Sequence, residues 1–242
     1  MMRGRNQVCG HTKEDVAMGK ETFFYIINLF IQRGLGLFFY LLGAGWILQQ
    51  RAAVYFLFYI VLSLLSCGVM LCTAPQTLAA RNKKITDSPL WDKILLGLFW
   101  LLAYFIIYLL AGLESGHGSE SLGSPGWLGI ILYTLSAILT LRALMVNTFA
   151  ESTARIQEER HQTVCQSGPY KLVRHPVYTA LLIWCIAMIL IFPTLFVGIA
   201  SLAVAVIIII RTALEDRMLQ TQLVGYKDYC QKVRSRLIPF VW

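Results

Sequence analysis

Charge is scarce in this sequence: Asp, Glu, Lys and Arg make up 14% of its 242 residues, against 57% hydrophobic ones. Soluble domains carry about a quarter charged residues, so an ordinary soluble fold is excluded. The cysteines (Cys9, Cys67, Cys72, Cys165, Cys185, Cys230) contain no C-x-x-C pair, and several lie inside apolar runs. That spacing excludes a disulfide framework and a zinc site, and no metal is expected. The apolar runs lack period-two alternation, which excludes a membrane barrel. Backbone in hydrocarbon must satisfy its own hydrogen bonds, so the runs are helices. No basic helix or aromatic-interleaved strand accompanies the net charge of +8, so no nucleic-acid partner is expected. The first apolar run also lacks the small-residue cleavage site of a removable signal peptide.

What remains is an all-α, polytopic transmembrane helix bundle of six spans, an integral membrane protein. Residues 1–20 read as a polar cytoplasmic tail and 21–146 as an N-terminal bundle of four spans. Residues 147–242 hold two more spans and most of the polar residues suited to chemistry. Residues 23–33 read as interfacial, with the first span ending at Leu48 and the next three over 52–74, 94–113 and 127–146. The last of these matches a hydrocarbon core about 30 Å thick. Arg142, about one turn from its end, reads as a snorkelling side chain. Two shorter apolar runs, 177–192 and 196–210, join at Pro193-Thr194, and a basic tail starts at Arg211. The 75–93 loop carries Arg81, Lys83, Lys84 and Lys93, whereas 114–126 carries Glu114 and Glu120 but no Lys or Arg. Alternation then places both termini and the basic loops in the cytoplasm, facing anionic lipid.

Residues suited to chemistry concentrate in two segments that the last hairpin brings back to one membrane face. The first is GPYKLVRHPVY, from Gly168 to Tyr178. Pro176 suits the first turn of a helix, which puts Arg174 and His175 at a helix N-terminus whose N–H groups attract anions. Tyr170 and Tyr178 offer flat faces and hydroxyls. The same aromatics and His-Pro step would also serve as interfacial anchors. The second segment is RTALEDRML, from Arg211 to Leu219, followed by GYKDYCQKVRSRLIP. Arg211 and Glu215 share one helix face, either as an i,i+4 surface pair or as two halves of a site for a ligand bearing both charges.

Taken together, G-P-Y-x-x-V-R-H-P-x-Y, a membrane hairpin, R-x-x-x-E-D and a closing G-Y-x-x-Y resemble the isoprenylcysteine carboxyl methyltransferase family over about residues 147–242. The resemblance implies a methyltransferase region there that uses S-adenosylmethionine. It implies cofactor contacts from Tyr170, from the turn His175, Pro176, Val177 and Tyr178, and from Glu215. It further implies that Gln162, Thr163, Val164 and Cys165 lie along the cofactor, with Gln157 upstream. Gln162 stands where members often carry His, and Val177 where a small Ser is frequent. Arg211 would hold the acceptor's carboxylate by two parallel hydrogen bonds, and Arg211 and Glu215 would carry catalysis. A carboxylate is already ionised at neutral pH and a sulfonium already activated, so neither a metal nor proton transfer is needed. The implied partners are membrane lipid and a lipophilic or lipidated acceptor such as a prenylcysteine-like C-terminus. The alternatives are a phospholipid amine, a thiol, an NADPH-dependent membrane reductase of the sterol-reductase type, and a non-enzymatic transporter. The active site is expected to face the cytoplasm.

The charge asymmetry generates a topology test. Single cysteines placed in the 75–93 loop should label from the cytoplasmic side, and one at position 118 from the opposite side. Cytoplasmic labelling of position 118 would rule out the six-span arrangement.

Overall fold

The computed structural model describes residues 13–82, 88–115, 121–239 and 241–242, without the side chains of 13–18 and 82. Lys83, Lys84, Glu120 and residues 1–12 of the expected tail lie outside the described residues. Helix α1 (Lys13–Gly43) is followed by α2 (Gln50–Thr73) and the short α3 (Pro75–Asn82). One continuous span, Leu90–Leu113, consists of α4 (Leu90–Leu101), a π turn (Leu102–Ile106) and α5 (Ile107–Leu113). Then come α6 (Gly123–Val146), α7 (Pro176–Ile191), α8 (Leu195–Gln222) and α9 (Tyr226–Lys232). Five of these stretches are long and apolar enough to cross a membrane, and the shorter apolar α7 makes a sixth. Among the described residues there is no strand, as the all-α reading expected.

The helices are apolar nearly all round, which suits lipid rather than water as their solvent. Leu57, Leu64, Ile131 and Leu202 all point outward with more than half of their surface exposed. Inside, the core is unusually rich in tyrosine: Tyr40, Tyr55, Tyr59 and Tyr108 are essentially inaccessible. The hydroxyls of Tyr55 and Tyr108 meet at 2.8 Å and so join α2 to α5. Ser136 Oγ donates to the Ala180 carbonyl at 2.6 Å, tying α6 to α7. In hydrocarbon no water competes for such donors, and helix contacts rest on close packing and internal hydrogen bonds.

Three boundaries depart from the sequence reading. Residues 13–20 and 23–33 belong to one unbroken α1 rather than to a tail and an interfacial segment. The Arg33 charge suggested an interface, but its guanidinium turns inward over the Tyr59 ring at 4.2 Å. The first span stops at Gly43 rather than Leu48, because the chain reverses through Gly45 and Trp46, both at positive φ. At the other end, α8 runs on through Arg211 to Gln222, so the basic tail starts as three further turns of span helix. Nothing between Arg211 and Gln222 is Pro or Gly, and most of it favours helix. Arg142 is exposed near the end of α6, as snorkelling requires.

Helices α1 and α5 touch backbone to backbone. A Cβ on Gly112 would overlap the Tyr40 carbonyl oxygen, and one on Gly43 would overlap that of Leu109. Gly112→Ala should therefore push the two helices apart and cost about 1–3 kcal/mol, the usual range for overpacking. Thermal unfolding in detergent should show the loss, and an unchanged midpoint would mean that this contact is not tight.

Candidate active site

The 147–175 connection between α6 and α7 is mostly irregular, so its backbone polar groups must find partners one by one. Gln157 does much of this work and is almost fully buried. Its Nε2 donates to the Phe149 carbonyl at 2.7 Å, its Oε1 accepts from Arg160 at 2.6 Å, and its backbone N–H donates to Gln162 Oε1 at 2.8 Å. Glu151 holds Arg155 at 3.0 Å on the same loop. After this clasp the chain runs past Thr163, Val164 and Cys165, whose backbone groups have no hydrogen-bond partners among the described residues. That open edge faces a cleft.

A short 3-10 turn, Gly168–Lys171, then presents Tyr170. Gly168 sits at φ 56°, where a side chain would be strained. The Tyr170 hydroxyl accepts from Asn147 Nδ2 at 3.0 Å, and its carbonyl accepts from the Tyr229 hydroxyl at 2.7 Å. Burial pushes the Tyr170 phenol above its ordinary range, so it stays protonated.

Asp216 organises everything beneath the cleft. It is fully buried, and six bonds converge on its carboxylate: Arg174 Nε at 2.8 Å and Nη2 at 3.1 Å, Arg236 Nε at 2.9 Å, Tyr226 Oη at 2.9 Å, Gln220 Nε2 at 2.8 Å and His175 Nε2 at 3.3 Å. Arg174 also donates to the carbonyls of Val233 and Arg234, each at 2.8 Å, which pins the segment after α9. Burial opposes the Arg174 charge, but the bonds to Asp216 outweigh it and raise the guanidinium's pKa. Above this base, the His175 ring stacks on Tyr178 at 5.7 Å and 10°. The Tyr178 hydroxyl donates to Glu215 Oε2 at 2.5 Å. A line of contacts thus runs from Asp216 through His175 and Tyr178 to the partly exposed Glu215 carboxylate.

Of the residues implied by the resemblance, Gln157, Gln162, Thr163, Val164, Cys165, Tyr170, His175, Val177, Tyr178 and Glu215 all line this one cleft. Two expectations need correction. Pro176 begins α7 and is buried, but does not line the cleft. The helix start also offers less to an anion than expected, because the N–H groups of Arg174 and His175 donate to the Ser235 and Arg236 carbonyls and that of Tyr178 to the His175 carbonyl, each at 3.0 Å.

Arg211 lies elsewhere, on the wall of a second, partly open cavity of about 1090 Å³ lined by the spans. Its Nε donates to Asp92 Oδ1 at 3.1 Å, its Nη2 pairs with the same oxygen, and Nη2 also reaches the Ser152 carbonyl at 3.1 Å. The two-bond fork foreseen for an acceptor therefore faces Asp92. Asp92 is fully buried in the first turn of α4, and its other oxygen accepts from Ala154 N at 3.0 Å. The helix start favours that negative charge. Arg211 and Glu215 share a face, as expected, but each is bound to a partner on another element. Tyr178 and Val177 line both the cleft and the membrane cavity, and the Arg211 guanidinium sits 5.6 Å from the Tyr178 ring centre.

Asp92 and Asp216, which fix the residues around the cleft and the cavity, were not singled out by sequence reasoning. Asp216 lay in view beside Glu215. Asp92 offered one signal, an acid directly before a long apolar run, but the basic residues around it hid it.

Residues 128–221 match the Isoprenylcysteine carboxyl methyltransferase (ICMT) family. The match bears out the resemblance and supports a membrane methyltransferase. It runs from α6 to the end of α8, across the loop, the cleft and both ends of the Tyr178 contact line. No curated protein matches the chain.

If Asp216 organises the site, its loss must leave Arg174 buried without its carboxylate. Asp216→Asn should cost about 3–5 kcal/mol, as for other broken buried pairs. Denaturation of the purified variant should show this as a much lower midpoint. A near-native midpoint would mean that water replaces Asp216.

Proposed function

We propose that this chain, whose residues 128–221 carry the ICMT family domain, moves a methyl group from S-adenosylmethionine to a lipophilic carboxylate at the cytoplasmic membrane face. The observation that carries this reading is the meeting of two dissimilar spaces at Tyr178. One is a polar cleft edged by free backbone groups, and the other a large cavity among the spans. A polar donor and an apolar acceptor would enter from opposite sides.

The cleft's residues suit such a donor. Thr163–Cys165 offer unpaired backbone groups along one wall, and Thr153 Oγ1 is buried there without a partner. His175 and Tyr178 form a flat stack, and Glu215 presents a fixed carboxylate to hydroxyl or cationic groups. The enclosed part of the cleft is only about 120 Å³, below the usual size of ligand sites. A nucleoside-sized ligand therefore requires the 157–165 loop to part outward from α8. When bound, S-adenosylmethionine supplies an activated methyl group, so the protein's task reduces to alignment and exclusion of water.

Each residue's part follows from its fixed partners. Tyr178 Oη holds Glu215 in one rotamer and keeps its negative charge at the donor side. Arg211 contributes positive charge beside Tyr178, with Asp92 fixing its plane. Its Nη1, which has no hydrogen-bond partner among the described residues, is the nitrogen left to meet the acceptor's carboxylate. One oriented bond replaces the expected pair. Such a contact would hold one oxygen near the shared wall, on the side away from bulk water.

The purified protein should bind S-adenosylmethionine but not NADPH. Glu215→Gln should weaken that binding about ten- to hundred-fold, the worth of a charge-assisted hydrogen bond. Arg211→Lys loses the planar fork that Asp92 grips, so turnover and acceptor affinity should fall while donor binding survives. Calorimetry and a methyl-transfer assay on the same preparations measure both effects. Unaltered behaviour in both variants would return the two residues to a structural role.

A further inference from the structure

The membrane cavity is also lined by Arg33, a cation that the proposed methyl transfer does not use. Gln32 and Arg33 on α1 and Tyr59 on α2 all line it. Tyr59 is 1% exposed, and its hydroxyl lies near the Arg33 guanidinium and the Tyr108 hydroxyl without a hydrogen bond of ordinary geometry to either. Gln32 Nε2 and Arg33 Nε are likewise buried without a hydrogen-bond partner, in two residues that line the same space. Among the described residues, no carboxylate comes within ion-pair distance of Arg33. Of the acids that line the cavity, Glu151 is paired with Arg155. Glu21 lies twelve positions before Arg33 on the same helix, about 18 Å away by helical rise.

Physical cost makes this arrangement informative. A guanidinium within a span costs several kcal/mol unless it is paired or reaches water. Stacking on Tyr59 returns about 2 kcal/mol and leaves the Nε donor unused. Unmet buried donors each carry a further penalty. Of the other guanidiniums on the cavity wall, Arg211 is neutralised by Asp92, and Arg81 donates to the Tyr25 hydroxyl at 3.3 Å and the Ala150 carbonyl at 3.1 Å. Arg33 lacks such a partner, while the space before it is ample and otherwise largely apolar. Along α6 the cavity runs from Tyr133 to Leu144, about 16 Å by helical rise.

We infer that the cavity takes a two-headed amphiphile, with a carboxylate at one end seated on the Arg33 guanidinium, beside Gln32 and Tyr59, and the other end reaching Tyr178. The second half rests on reading the cleft as the methyl-transfer site. The acceptor class then narrows from any lipophilic carboxylate to a chain with a second anionic group. The deep anion anchors the molecule and sets which end arrives at the mouth.

The test is calorimetric binding to the full-length protein in phosphatidylcholine nanodiscs, with no methyl donor present. The probes are hexadecanedioic acid monomethyl ester, which keeps one carboxylate, and the dimethyl ester, which has none. The monoester should bind at least about tenfold more tightly, by the strength of charged hydrogen bonds. Arg33→Gln should cut that preference several-fold, to what Arg211 alone supports, and Arg33→Lys should keep more of it. Tyr59→Phe, which preserves the ring and its packing, should reduce the preference several-fold. Equal binding of the two esters in the wild type would overturn the proposal. So would an unchanged preference in Arg33→Gln alongside a lower unfolding temperature, since Arg33 would then be only a packing element. In nanodiscs containing phosphatidylglycerol, weaker monoester binding that Arg33→Gln abolishes would assign the site to a lipid phosphate and overturn the two-headed acceptor. A preserved monoester preference in a protein without methyl transfer would support the anion site while sinking the reading of the cleft.

Discussion

A buried carboxylate that must stay charged governs the end of this molecule that holds the cleft. Asp216 has no access to water, so its charge is compatible with folding only while Arg174 and Arg236 remain against it. Those two residues come from the segment before α7 and the segment after α9, and Tyr226 comes from α9 itself. Satisfying one carboxylate therefore gathers four stretches of chain into one place. His175 joins the same group, and through its stack on Tyr178 the constraint reaches Glu215. The position of the outermost carboxylate is set by the innermost one.

A second buried acid does similar work on the opposite side of Tyr178. Asp92 links α4 to Arg211 of α8 and to the backbone of the 147–175 connection, so the membrane bundle and the polar loop share a joint. The two acids bracket the wall between the cleft and the membrane cavity. Movement of the 157–165 loop would pull on backbone near Ala154 and hence on the Asp92–Arg211 pair. The contrast with Arg33 is informative, because there the bundle provides a cation without the acid.

Much of the bundle was legible from apolar run length, because hydrocarbon leaves a backbone no choice but to helix. The second span and α7 appeared within a residue or two of their expected limits. Two of the errors involved charge. Arg33 was read as an interface marker and Arg211 as the start of a tail, since run-length reasoning stops at a charged residue. Both side chains instead turn inward, one onto a tyrosine face and one onto Asp92, and the helices pass through unbroken. The cleft was legible through motif spacing, and nearly every residue it indicated lines one space. Arg211's partner was not, because Asp92 lies 119 positions away in sequence.

What the sequence determined alone is the class of solvent, the helical answer to it, and the local geometry of the His175–Pro176 and Arg211–Glu215 turns. These follow from composition, proline's missing donor and the helical repeat, which operate over a few residues. Only the tertiary structure decided which charges are settled and which are left over. Ion pairing inside a low-dielectric bundle depends on distance between elements, and no local rule could tell that Arg211 meets an acid while Arg33 meets an open cavity.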